Sequence, residues 1–152
     1  MDVYSRLEEL EIELPEPVRP VGSYTALLRT GNLLYLSGIL PFYRGRLLYE
    51  GRVPEKVSLE EAQKASRQIV LNALSLLHAE VGLNSINQCV RLNGYVASSK
   101  DFYDQPRVLN SASELLKDVF GKRGVHTRVA VGVYVLPLNS PVEIDFVFEL
   151  KT

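Results

Sequence analysis

The chain has 152 residues, a length suited to one domain, and its 46% apolar and 23% charged residues exclude a disordered, collagenous or membrane-spanning polymer. Seventeen basic against eighteen acidic side chains give a formal net charge of -1, without the basic excess or blocks of a strong nucleic-acid binder. A single cysteine, Cys89, excludes an intrachain disulfide, and with only two histidines it offers too few donors for the usual thiolate and imidazole metal sites, so a reducing, metal-free context is expected.

The start, Met1-Asp2-Val3-Tyr4-Ser5-Arg6, is polar, and the longest apolar run, residues 129–138, falls far short of the ~18 residues that cross a bilayer, which predicts a cytoplasmic chain with no membrane partner. Pro15, Pro17 and Pro20 make residues 15–20 an extended lead-in, so residues 1–19 read as an N-terminal extension of a single domain spanning 1–152. Short apolar runs at 25–29 and 33–37, separated by Thr30-Gly31-Asn32, predict two strands and a tight hairpin. Residues 41–54 carry Gly45 and Gly51 among charges around Leu47-Leu48-Tyr49, the composition of a wandering segment or one short strand.

Ser58-Leu59-Glu60-Glu61 has the form of a capping box and predicts a helix start. Ala62, Ala65, Ile69, Ala73, Leu76 and Leu77 then recur at helical spacing, with Glu60, Lys64, Arg67 and Gln68 on the other side, until Gly82. Residues 90–97 read as a strand. Val108, Leu109, Ala112, Leu115, Leu116 and Val119 mark a second amphipathic helix that stops before Gly121, with Pro106 near its first turn.

Toward the end, Val129, Val131, Val133 and Val135 alternate with Arg128, Ala130, Gly132 and Tyr134. Val142, Ile144, Phe146, Phe148 and Leu150 then alternate with Glu143, Asp145 and Glu149. The two runs predict an antiparallel hairpin, and the whole order predicts an α+β two-layer sandwich with two helices on one face of a sheet. Its other face would carry Arg128, Ala130, Gly132, Tyr134, Glu143, Asp145, Val147 and Glu149. Glycine and alanine in mid-strand let another backbone approach, so a second subunit is expected there, in a closed cyclic oligomer.

No phosphate-binding glycine loop, serine-hydrolase elbow or helical metal-binding pair occurs. Arg128 on rigid β structure could clamp a carboxylate through two parallel hydrogen bonds, or it could simply pair with Glu149, which a symmetric hairpin would place opposite. Glu143 is either a desolvated acid/base group or an outward-facing side chain. Tyr24 offers a hydroxyl to a cleft or packs with its tip wet, and Asn110 bonds a ligand or a local helix end. His78 reads as solvated, His126 as a group near Arg128, and Cys89 as a packed thiol.

Taken in order, Val21-Gly22-Ser23-Tyr24, Gly31-Asn32-Leu33-Leu34-Tyr35-Leu36-Ser37-Gly38, Asn110, Thr127-Arg128, and Leu136-Pro137 followed by Val142-Glu143-Ile144 resemble the Rid family of reactive-intermediate deaminases. That family is also called YjgF-like, and some members are labelled endoribonuclease L-PSP. The resemblance runs from about residue 20 to the end. It implies a chorismate-mutase-like α+β fold with a mixed sheet, a homotrimer with sites in the clefts between subunits, and no cofactor. It implies that Arg128 binds the carboxylate of a 2-imino acid and that Glu143 holds or activates the water that converts it to a 2-oxo acid and ammonia. It assigns Tyr24, Asn110 and the backbone at Gly38 and Ala130 to the cleft, with Ile39 beside them.

The chain departs from the family pattern in places, as a divergent member. Gly22-Ser23-Tyr24 stands where the family usually has glycine-proline-tyrosine, and Ser37-Gly38-Ile39 where it has serine-glycine-glutamine. Pro106 replaces an aromatic often found before the asparagine, and the segment between Pro41 and Ser58 is longer. Three functions follow as expectations: an enamine/imine deaminase, a non-catalytic trimer that binds small carboxylates, and an endoribonuclease, against which the net charge of -1 weighs.

Overall fold

Five strands form one mixed sheet in the computed structural model, which describes residues 2–18, 20 and 22–152. Met1, Arg19 of the proline-rich lead-in, and Val21, the first residue of the Val21-Gly22-Ser23-Tyr24 motif, lie outside the described residues. Strand β1 (Leu27–Thr30) returns through Gly31, whose φ of 58° suits a residue without Cβ, into β2 (Leu33–Ile39), forming the expected hairpin with Thr30 opposite Leu33. Where one short strand or none was expected, β3 (Phe42–Tyr43) and β4 (Arg46–Leu47) make a small hairpin of their own, turning at Arg44 and Gly45 with φ of 52° and 82°.

Helix α2 (Leu59–Glu80) begins on the capping box: Ser58 Oγ accepts from Glu61 N and Glu61 Oε1 accepts from Ser58 N, both at 3.0 Å. There follow β5 (Ile86–Ala97), longer than the 90–97 run, then α3 (Gln105–Phe120), β6 (Thr127–Val133) and β7 (Val142–Leu150). The strand order is β1-β2-β7-β5-β6, with β5 and β6 parallel and every other pair antiparallel. The α+β class and the two-layer arrangement hold, because α2 and α3 lay their apolar faces on one side of the sheet. Ile69, Ala73 and Leu77 of α2 and Leu109 and Leu116 of α3 are fully buried with Leu34, Leu92, Ile144, Phe146 and Phe148 of the strands.

A third helix, α1 (Val3–Glu9), was not anticipated; seven residues are too few for a periodic pattern to stand out. Val3 and Leu7 are buried, Tyr4 Oη accepts from Leu83 N at 3.0 Å and meets His78 Nδ1 at 2.7 Å, and Arg6 Nε donates to Asp118 O at 2.7 Å. Tertiary contacts hold this helix, not its intrinsic propensity.

The predicted terminal hairpin is absent. β6 and β7 do not pair, because β5 lies between them, and residues 134–141 carry the chain from the sheet edge across β5 into the centre. Alternation correctly assigns the faces of β7, with Val142, Ile144, Phe146, Phe148 and Leu150 buried, but not those of β6. There Val129 and Val131 are 37% and 40% exposed on the outer face, while Arg128, Ala130 and Gly132 face the helices alongside Leu92, Gly94 and Val96. The small residues therefore admit α3. A Cβ on Gly94 would lie 2.5 Å from two carbons of Leu109, and one on Gly132 would lie 2.7 Å from Gln105 Nε2 and 3.0 Å from Ser98 Oγ.

This close approach yields a stability prediction. Leu109 is fully buried and has nowhere to go, so Gly94→Ala is expected to destabilise the fold by about 1–3 kcal/mol through overpacking. The measurement is a lowered thermal midpoint; an unchanged midpoint would show that α3 can retreat freely.

Candidate functional site

One half of the site grows from an irregularity in β2. Leu36 faces Phe146 of β7 and Ile39 faces Ile144, so three steps on β2 match two on β7 and an extra residue bulges out at Ser37-Gly38. Past this point β1 no longer covers β2, since the last contact is Ser37 N donating to Ala26 O at 2.9 Å. Glu143 of β7 turns its carboxylate into the space over Gly38, where a Cβ would collide with Glu143 Oε2. Only glycine leaves that carboxylate where it is.

Glu143 is half-buried, and two effects hold its carboxyl above the usual glutamate value: first desolvation, then the negative charge of Asp145. Asp145 itself accepts from Asn93 Nδ2 at 2.7 Å and from Tyr95 Oη at 3.0 Å. Burial, followed by the hydrogen bond to Asp145, pushes the Tyr95 hydroxyl above its ordinary value. A carboxyl poised in this way exchanges a proton more readily near neutrality than an exposed glutamate does. A cleft of about 1180 Å³ opens beside it, lined by Tyr24, Ser37, Gly38 and Ile39 and continuing along Leu71 and Gln68 of α2.

The other half lies at the opposite edge. Arg128 leads β6 on the helix side, half-buried, and the expected ion pair with Glu149 is not made; Glu149 accepts instead from Asn87 Nδ2 at 2.7 Å and Gln88 Nε2 at 3.0 Å. Arg128 Nη1 donates to Asn110 Oδ1 at 3.0 Å and to Ser113 Oγ at 3.1 Å, both on α3. Among the described residues its Nε and Nη2 donate to nothing, and no carboxylate lies within ion-pair distance. Neutral acceptors thus aim the guanidinium while one edge of its donor fork stays open.

Ser113 and His126 are the members that the pattern of residues did not reveal as partners. Gly124 O can only accept, so His126 Nδ1 donates to it, at 2.6 Å. That leaves Nε2 of the neutral ring to accept the Ser113 hydroxyl at 2.9 Å, and Ser113 Oγ to accept from Arg128. Burial, assisted by the charges of Arg128 and Lys117, pushes the His126 pKa below its ordinary value, against the opposing hydrogen bond from Gly124. The two-residue spacing of His126 and Arg128 puts the histidine near the arginine, as expected, but nothing in the sequence links Ser113 to them, because α3 supplies it.

The predicted residues therefore fall into two groups. Tyr24, Gly38, Ile39 and Glu143 share the cleft; Arg128, Asn110 and Ala130 gather where α3 meets β6. Glu143 faces Tyr95 and Tyr95 faces Val131, so Arg128 is two strands across and three residues along, a backbone separation of roughly 14 Å, on the opposite face of the sheet. Within one chain no small molecule touches both. Cys89 is buried, and desolvation pushes its thiol up to about 12, which makes it inert packing. Among the described residues no cluster of three or more His, Cys, Asp or Glu could hold a metal, and no helix is long and apolar enough to cross a membrane.

Comparisons with known proteins agree with this architecture. A family model described as "YjgF/chorismate mutase-like, putative endoribonuclease" matches residues 4–150. Protein TCP17 of Trypanosoma cruzi is 36% identical over 151 residues, which cover 98% of this chain and 94% of that relative. The crystal structure of the protein Atu1372, of unknown function, from Agrobacterium tumefaciens aligns at 38% identity with a TM-score of 0.89, over 99% of this chain and 92% of that one. A structure titled a "putative endoribonuclease" from Shewanella oneidensis MR-1 aligns at 34% identity with a TM-score of 0.93, over 99% and 100% of the two chains.

The raised carboxyl of Glu143 has a measurable consequence. Its proton is held more tightly in the folded chain than in the unfolded one. As pH rises past the ordinary glutamate value of 4.5, the unfolded chain ionises first and folding loses stability, until the higher native value is passed and the cost becomes constant. Glu143→Gln removes that cost, so its thermal midpoint should exceed that of the wild type at pH 7, with the gap closing below about pH 4. Equal midpoints at pH 7 would show that the carboxylate is fully solvated.

Proposed function

The chain belongs to the YjgF/chorismate mutase-like family, and from that premise we propose that it hydrolyses reactive 2-imino acids to 2-oxo acids and ammonia in clefts between copies of itself. The observation that carries this reading is the guanidinium of Arg128, steered by Asn110 and Ser113 with no carboxylate in ion-pair reach among the described residues, an arrangement suited to clamping an anion. Glu143 supports the second role, because a half-desolvated carboxyl can accept a proton from one water molecule at the acid-binding end of the cleft.

The chemistry asks little else of the protein. Water adds to the carbon of the protonated C=N bond, and Glu143 takes one proton from that water and returns it to nitrogen. The hydroxyl of the tetrahedral carbinolamine then gives its proton to Glu143 as the C–N bond breaks and the C=O bond forms, and the departing ammonia takes that proton away as ammonium. The imine carbon is already electrophilic, so position, charge and one placed water carry the rate. Arg128 and Glu143 sit on opposite faces of one sheet, so their cooperation needs a second chain, and a homotrimer satisfies this with three equivalent clefts. The outer face carries Leu28 at 63% exposure and Tyr35 at 47% toward its β1 edge and Val129 and Val131 at its β6 edge, apolar surface suited to burial between copies. Ribonuclease action is the weaker reading, since a polyphosphate backbone calls for a tract of cations and the cleft holds Glu143 near Asp145.

The test couples a dehydratase that releases 2-aminoacrylate to detection of pyruvate. The protein should accelerate pyruvate release, and Arg128→Ala should lower kcat/KM by about 100-fold, the loss of a charge-assisted clamp. No acceleration by the wild type, or full activity in Arg128→Ala, would reject the reading. Mixing inactive Arg128→Ala and Glu143→Gln chains and allowing subunits to exchange should restore about a quarter of wild-type activity, because only clefts that combine one intact group from each variant work. No recovery in a mixture shown to have exchanged would place both groups in the same chain's cleft.

A further inference from the structure

Helix α2 turns a polar stripe, Gln68, Asn72 and Ser75, toward residues 13–18 and the β3–β4 hairpin. These side chains are buried, although sequence periodicity placed Gln68 on the solvated side. Ser75 Oγ donates to Pro15 O, tying down the proline-rich segment beside the stripe. Asn72 Nδ2 donates to Leu40 O at 3.2 Å and to Phe42 O at 2.9 Å. Carbonyl oxygens only accept, so both amide hydrogens of Asn72 are engaged and its Oδ1 must be the acceptor facing Gln68. Gln68 Nε2 donates to that oxygen at 3.0 Å, which fixes the second amide as well.

The result is an oriented carbonyl. Gln68 is 8% exposed, and what exposure remains is to the Glu143 cleft; no donor among the described residues reaches its Oε1. The surrounding walls, Leu14, Leu40, Phe42 and Leu71, are apolar. The residue is nine-tenths buried but its Oε1 keeps contact with the cleft, so the donor that pairs it is a water or a ligand that arrives there. Of the carboxylates that line the cleft, Glu13 and Glu16 stand on its exposed rim, and Glu143 is the half-buried group already assigned to the acid end.

We propose that the Gln68 end of the cleft is a side-chain subsite that accepts a largely apolar stem ending in a neutral O–H or N–H donor. The inference rests on the function proposed above, and deepens it by naming a substrate class: 2-imino acids with long side chains of this kind, beyond the three- and four-carbon members. A cleft of about 1180 Å³ has space for such a chain while the acid end engages the clamp. Specificity follows from the asymmetry of hydrogen bonding, because a ligand that fills the subsite without a donor leaves the Gln68 carbonyl buried and unpaired.

Calorimetric titration of the assembled wild-type protein with three stable 2-oxo acids tests this: pyruvate, phenylpyruvate and 4-hydroxyphenylpyruvate. The hydroxylated ligand should bind about tenfold tighter than phenylpyruvate. Gln68→Leu should abolish that preference, bringing the affinity of the hydroxylated ligand to that of phenylpyruvate. Equal affinities of the two aromatic acids for the wild type, or a preference that survives Gln68→Leu, would overturn the subsite while pyruvate binding leaves the proposed function standing. Failure of all three acids to bind would overturn both. The wild-type comparison decides the matter even where Gln68→Leu folds poorly.

Discussion

Helix α3 can lie against β5 and β6 only because the sheet offers no side-chain bulk beneath it. Gly94 and Gly132 carry no Cβ and Ala130 carries one carbon, and the space they leave is filled by Leu109, Gln105 and Ser98. That approach brings Asn110 and Ser113 within hydrogen-bond reach of Arg128. The orientation of the guanidinium is thus a packing result before it is an electrostatic one. It also explains why β6 turns its valines outward, since the side that a strand would normally fill with branched residues is occupied by helix.

Charge is distributed between the central strand β7 and the edge strand β6 in a way that stability alone would not favour. Arg128 has hydrogen-bonding partners but no counter-ion among the described residues, and Glu143 is half-desolvated beside a second carboxylate. Asp145 has Asn93 and Tyr95 as hydrogen-bond donors, whereas Glu143 faces the cleft. Such an arrangement is of the kind expected where an anion is bound and a proton moved, the roles proposed above for these two residues.

Much of the architecture was legible in the chain because its signals are local. The capping box at Ser58, the Gly31 turn and the strict alternation of residues 142–150 each state their structure within a few positions. The pairing of β6 was not legible: alternation shows a strand, but its partner depends on where the loop at 134–141 crosses. The same limit hid Gln68, which looks solvated on a helical wheel and is buried only because the β3–β4 hairpin and the proline-rich segment fold over it. Of the candidate site, family-like motifs marked the residues and the fold divided them between two edges. Ser113 and His126 carried no motif, since their roles arise from contacts between α3 and the turn ahead of β6.

The first helix gives the cleft a remote handle. Tyr4 grips the end of α2 through Leu83 and His78, Arg6 reaches the end of α3, and the chain then runs over the cleft to the point where Ser75 holds Pro15. The roof above Gln68 is consequently strung between two fastenings, one of them at the extreme N-terminal turn. Neither Arg6 nor Ser75 lines the cavity itself, so the placing of one of its walls depends on how the N-terminal segment is bound to the two helices.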